Sequence, residues 1–166
     1  MSDNVNRALF SAARDGRYDE AAACVARGAD PTWTLQGRSA LHWTARDGHV
    51  QVVELLLDHG WDMEARTSAG QRPLHEAARF GRVEVMQLLA ARGAEVNSQD
   101  NGRWTPLHWA AREGHPAAVK LLLSLGADRS VKRGSDGKTP EQMSDDEAIR
   151  SVFKADTGKA DKGSML

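Results

Sequence analysis

The sequence predicts an all-α solenoid of stacked helix-turn-helix units, and three series of residues predict it. Leu9, Leu41, Leu74 and Leu107 recur at intervals of 32, 33 and 33 residues. Gly16, Gly48, Gly81 and Gly114 step by 32, 33 and 33, and Gly28, Gly60, Gly93 and Gly126 step in the same way. One period shared by three series marks an array whose units are each too small to bury an apolar face alone and must stack.

The unit reads most clearly at Thr105-Pro-Leu-His-Trp-Ala-Ala-Arg-Glu-Gly114. Thr before Pro is a helix start, because the hydroxyl accepts a first-turn N–H and Pro at the first position gives up only an unpartnered one. Leu107, Ala110 and Ala111 give a short helix that a neighbour can approach closely, and Gly114 ends it. Counterparts are Arg72-Pro-Leu-His-Glu-Ala-Ala78, Ser39-Ala-Leu-His-Trp-Thr-Ala45 and Arg7-Ala-Leu-Phe-Ser-Ala-Ala13.

This pattern resembles the ankyrin-repeat family over roughly residues 4 to 153. The resemblance implies a recognition scaffold with hairpin-like fingers along one edge. The expected function is a non-enzymatic adaptor or inhibitor that binds a protein partner through its concave face and fingers, without a cofactor; the alternative is a regulatory or targeting subunit of an enzyme complex. Five repeats are expected, at about 4–33, 34–66, 67–99, 100–132 and 133–153, with residues 154–166 a disordered tail.

The first repeat carries a helix over Val5–Arg14 that shows Asn6, Arg7, Ser11 and Arg14, the polar face of a cap, and a second helix from Tyr18. Second helices at Val50–Leu57, Val83–Ala90 and Ala118–Leu123 are apolar over more than one stripe, so they are covered on several sides. Gly60, Gly93 and Gly126 stand where a left-handed residue closes each one. In the third repeat Arg72 replaces the capping hydroxyl, a loss of about 1 kcal/mol. In the fourth the turn Asp100-Asn-Gly-Arg-Trp has its glycine one place early, which predicts a different turn type that presents Trp104. The fifth restarts at Thr139 with Gln142 as a capping box and ends in a helix over about Asp145–Lys154, apolar at Ile149, Val152 and Phe153.

A net charge of −1 and a pI near 6.6 give no electrostatic footprint for nucleic acid. No apolar run approaches the roughly 20 residues that span a bilayer, and Met1–Arg7 lacks a signal core, so a monomer in the cytoplasm or nucleus is expected. The single cysteine, Cys24, is expected to be a buried thiol. His42, His75 and His108 occupy one position in successive repeats, roughly 8–10 Å apart, too far to share a zinc ion whose nitrogens lie about 2.0–2.1 Å away. Each is expected to brace its turn, and His49 and His115 are expected to be structural. No phosphate-cradling loop or nucleophile constellation is present, and Asp145, Asp146 and Glu147 fit the opening of the last helix. An enzyme is not expected.

Equivalent positions form columns. Arg14, Arg46, Arg79 and Arg112 follow the small-residue pairs; next come Asp15, Asp47, Phe80 and Glu113; three before the arginines stand Ser11, Trp43, Glu76 and Trp109. Residues i and i+3 share a helix face, so Trp43–Arg46 and Trp109–Arg112 are expected to form cation–π pairs. Phe80 breaks an acidic column, and Trp104 has Gln71 and Arg38 as column mates. The expected partner-binding set is Trp33, Arg38, Trp43, Arg46, Asp47, Gln71, Arg79, Phe80, Trp104, Trp109, Arg112 and Glu113. The family resemblance adds Asn97, preceded by Leu89 and Glu95-Val96, as a candidate acceptor for an asparaginyl hydroxylase. The terminal Ser164-Met-Leu166 resembles a PDZ-domain ligand.

Overall fold

The computed structural model describes residues 2–160 and consists of helix pairs laid side by side. In chain order the pairs are α1 (Ser2–Asp15) with α2 (Tyr18–Ala26), α3 (Ala40–Asp47) with α4 (Val50–Asp58), α5 (Pro73–Arg79) with α6 (Val83–Ala91), and α7 (Pro106–Arg112) with α8 (Pro116–Ser124). A 3-10 turn at Pro140–Met143 and helix α9 (Glu147–Ala160) close the described chain. The all-α expectation holds. Among the described residues strand is confined to the finger of the second repeat, where β1 (Thr34–Leu35) pairs antiparallel with β2 (Arg38–Ser39), Thr34 opposite Ser39. The later fingers are hydrogen-bonded turns: the N–H groups of Thr67 and Asp100 donate to the carbonyls of Gln71 and Trp104.

The core is one continuous layer between the two rows of helices. The inner row contributes Leu41, Leu74, Leu107 and the alanines Ala45, Ala77, Ala78, Ala110 and Ala111, all buried. The outer row contributes Val52, Val53, Leu56, Val85, Met86, Leu89, Val119 and Leu122, and Ile149 with Phe153 seals the end. Alanine lets the inner helices α1, α3, α5 and α7 pack far more densely on one another than the outer helices do. Closer spacing on one side bends the stack toward it, so the inner row lines the concave face.

Two sets of hydrogen bonds join successive helix pairs. His42, His75 and His108 accept the backbone N–H of Ser39, Arg72 and Thr105 at Nδ1, over 3.1–3.2 Å. The proton therefore sits on Nε2, which donates onward to the next finger: His42 to the Gln71 carbonyl, His75 to those of Ser98 and Trp104, and His108 to that of Lys138. The second set runs backward. His49, Arg82 and His115 donate to the carbonyls of Arg14, Arg46 and Arg79 at 2.8–2.9 Å. They pass directly over the left-handed glycines that end the inner helices; a Cβ on Gly16 or Gly81 would lie 2.5 or 2.7 Å from the overlying imidazole. The structural readings of His49 and His115 hold, and in the third pair arginine does the same work.

Several expectations need correction. Helix α1 begins at Ser2, and Asn6 is not on its wet face but buried, its Oδ1 accepting the Asp30 N–H at 2.8 Å. The fourth finger keeps the turn of the third, with Arg103 at φ 62° in the left-handed place that Gly70 holds there; the finger at 34–39 differs, with both Gln36 and Gly37 left-handed. Arg72 makes no side-chain cap, as expected; its guanidinium instead bridges Glu64 and Glu95, each at 2.6 Å. Helix α9 runs to Ala160 rather than ending near Lys154, which corrects the expected disordered tail for residues 154–160. Arg129 fastens this helix by donating to the Phe153 carbonyl and pairing with Asp156 and Glu141. The terminal Ser164-Met-Leu166 pattern lies outside the described residues.

Burial pushes the imidazoles of His42 and His108 below their ordinary range and that of His75 down to about 4. A histidine held neutral in the fold binds a proton more readily when unfolded, so its stabilisation is complete above pH 6.5 and is lost as pH falls toward 4. For His75 alone the loss amounts to about 3 kcal/mol. Urea midpoints should therefore fall steadily from pH 7 to pH 4.5, and a flat profile would mean that these rings are not held neutral.

Candidate functional site

The inner helices expose one continuous feature, a ladder in which arginine planes alternate with aromatic rings. Arg38 lies 5.7 Å from the Trp43 ring, and Arg46 lies between Trp43 (5.4 Å) and Phe80 (4.7 Å). Arg79 lies between Phe80 (5.6 Å) and Trp109 (4.8 Å), Arg112 between Trp109 (5.7 Å) and Trp104 (5.1 Å), and Arg133 ends the series 4.7 Å from Trp104. Both expected i, i+3 pairs form, and the same arginines also reach the ring of the next helix pair. Each such contact contributes about 0.5–1 kcal/mol at an exposed site. The folding braces hold this ladder in place, since the carbonyls gripped by Arg82 and His115 belong to Arg46 and Arg79.

The arginines differ in what their edges do. Arg38 donates from Nε to Glu76 at 3.1 Å, and Glu76 is buried. Arg133 pairs with Asp136. Arg46, Arg79 and Arg112 donate no side-chain hydrogen bond among the described residues; the carboxylates of Asp47 and Glu113 stand 4.0 and 3.9 Å from Arg46 and Arg79.

The expected site residues therefore divide. Arg38, Trp43, Arg46, Arg79, Phe80, Trp109 and Arg112 come together in the ladder, with Asp47 and Glu113 beside it. Gln71 does not join them: it is buried, with its N–H donating to Thr67 Oγ1 and its carbonyl accepting from His42. Trp104 is buried too, 9% exposed, rather than presented by its finger. Its ring centroid lies 4.4 Å from that of Trp109. Trp33 is half-buried and packs edge-on to Phe10 with centroids 5.0 Å apart, and Trp61 belongs to the core.

Sequence reasoning missed Asp100 and Arg133. The Asp100 carboxylate accepts from the N–H groups of Gly102 and Trp104, at 2.9 Å each, and from Trp109 Nε1 at 3.2 Å, so it fixes both tryptophans. An acidic residue opening an Asn-Gly turn was the available signal. The equivalent position in the finger of the second repeat is Thr34, and the Trp43 indole N–H has no hydrogen-bond partner among the described residues. Asn97, in an exposed link, has both ends of its amide engaged: Nδ2 donates to the Gly126 carbonyl and Oδ1 accepts the Asp128 N–H.

The described residues hold no group of three or more His, Cys, Asp or Glu able to hold a metal ion, and no helix among them is long and apolar enough to cross a membrane. Cys24 is buried.

Residues 7–100 match a family model described as ankyrin repeats in three copies, and residues 102–133 match one described as an ankyrin repeat. Over 64 residues the chain is 41% identical to GA-binding protein subunit beta-2 of Mus musculus, 40% to that of Homo sapiens and 39% to subunit beta-1 of Bos taurus. The match covers 39% of this chain and 16%, 14% and 17% of those proteins, so the chain spans about a sixth of the length of these relatives.

Two substitutions in the fourth finger separate structural from exposed roles. Trp104→Ala should cost about 3 kcal/mol of folding stability, as loss of a buried ring does. Arg103→Gly should instead stabilise by about 0.5–1 kcal/mol, because it relieves a left-handed backbone. Chemical denaturation of both variants reads the two signs; an unchanged midpoint for Trp104→Ala would return that ring to the surface.

Proposed function

This chain belongs to the ankyrin-repeat family, and we propose that it is a non-enzymatic subunit of a larger protein assembly, regulating or targeting a partner held on its inner-helix face and fingers. Ankyrin repeats imply a protein–protein interaction role. The observation that carries the finer reading is the ladder: aromatic rings and arginines are favoured anchors at interfaces, and here they are aligned across three helix pairs. Likeness to proteins named as beta subunits of a GA-binding protein supports a subunit over a free-standing adaptor or inhibitor, which is the second reading. Cytoplasm or nucleus as the place of action belongs to the same proposal.

Affinity purification of the tagged chain from expressing cells, followed by size-exclusion chromatography and mass spectrometry, tests this. Wild type should co-elute with a defined partner set, and the Arg79→Gln/Phe80→Ala pair, with an unchanged circular dichroism spectrum, should lose it. Recovery of the chain alone would sink the subunit reading; the same partners on the variant would move the site elsewhere.

Asn97 remains a proposed modification site. Both ends of its amide are bonded to the next repeat, so a hydroxylase would need this link to open first. Co-expression with the hydroxylase should add one oxygen to the peptide containing Asn97, and an unmodified peptide beside a modified control substrate would end the proposal.

A further inference from the structure

The centre of the ladder is unlike its ends. Arg46, Arg79 and Arg112 have aromatic rings against their faces, while their N–H edges meet no hydrogen-bond acceptor among the described residues. A guanidinium has five donors in its plane, and a fork of two matches a carboxylate. Stacking has already fixed these side chains, so a ligand that engages the edges orders little. Asp47 and Glu113 form long ion pairs with Arg46 and Arg79, at 4.0 and 3.9 Å from Nε, which are beyond hydrogen-bond reach and leave the forks unfilled. Phe80 removes the carboxylate that the same column carries in the neighbouring helix pairs, as Asp47 and Glu113.

We propose that this face takes an extended acidic segment of a protein partner, with carboxylates at every third residue engaging Arg46, Arg79 and Arg112 and an apolar residue before them. The inference rests on the binding reading above and names the chemistry of its partner. The spacing supports it: the arginines sit at equivalent places on adjacent helices, roughly 8–10 Å apart, and an extended segment in the polyproline II conformation returns every third side chain to one face at a rise of about 9 Å. At the N-terminal end the ladder meets a cleft of about 400 Å³, with Phe10, Leu35 and Trp43 as its apolar wall and Arg7 and Arg14 among its lining residues. That cleft suits an apolar side chain preceding the acidic run.

The test is a titration of the isotope-labelled chain with a synthetic peptide of one leucine followed by glutamates at every third position among serines. The Nε–H signals of Arg46, Arg79 and Arg112 and the Trp43 indole signal should shift. Binding should weaken on the order of tenfold between low and several-fold higher salt, as exposed charges are screened. Arg112→Gln, at an exposed position, should lose most of the effect. Arg92→Gln, whose guanidinium pairs with Asp58 and Glu54 on the outer row, should keep it. Unmoved arginine signals at millimolar peptide, equal shifts with a glutamine-for-glutamate peptide, or stronger shifts with an RNA oligonucleotide would each overturn the proposal. If partners are still captured by wild type and lost by Arg79→Gln/Phe80→Ala while the glutamate peptide leaves the arginines unmoved, the acidic-segment inference falls and the binding reading stands. If the peptide binds and no partner is captured, the subunit reading falls instead.

Discussion

The fold depends on a neutral imidazole at the start of each inner helix. His42, His75 and His108 each take a backbone N–H on one nitrogen and give a proton to the next finger with the other. Both polar atoms are buried, so losing either partner exposes a desolvation cost of about 1–3 kcal/mol that packing does not replace. Lysine or arginine could donate but not accept, and asparagine is too short to span two repeats. A histidine does both only while uncharged, which ties integrity of the stack to a pH above the range where these rings protonate.

The backward braces turn that folding device into a rigid face. His49, Arg82 and His115 reach the carbonyls of Arg14, Arg46 and Arg79 through the space left by left-handed glycines without a Cβ. The gripped residues are the arginines of the inner column, so the backbone beneath the ladder is anchored from the following pair. Ring-on-guanidinium stacking then continues the order outward to the side chains. A surface built this way presents its donors in fixed directions, which favours selectivity over adaptability.

Departures from the repeat consensus sort by what surrounds them. Arg72 lacks the capping hydroxyl and instead joins Glu64 and Glu95 into a bridge between adjacent links. Trp104 breaks its column because Asp100 and Trp109 make a pocket for it, and it stabilises the fourth finger. Phe80 breaks its column without being buried, between two arginines that gain a ring and lose a carboxylate. Of these three, Phe80 changes what the face offers to a ligand.

The sequence by itself determined the array. The 33-residue period, the helix starts at Ser39 and Thr105, the closing glycines and the i, i+3 pairs of tryptophan and arginine all follow from local preferences that survive in any context. The column logic also found most of the ladder, because equivalent residues of stacked units must adjoin. What it could not supply were facts set between units. Trp104 looked like an exposed tip until Asp100, Trp109 and Arg133 closed around it. Asn6 looked wet until the Asp30 N–H reached it, and the last helix looked short until Arg129 fastened its far end. Burial and free hydrogen-bonding capacity belong to the space between elements rather than to any residue. Only the tertiary structure could therefore decide that Arg46, Arg79 and Arg112 keep their edges open while Arg38 and Arg133 do not.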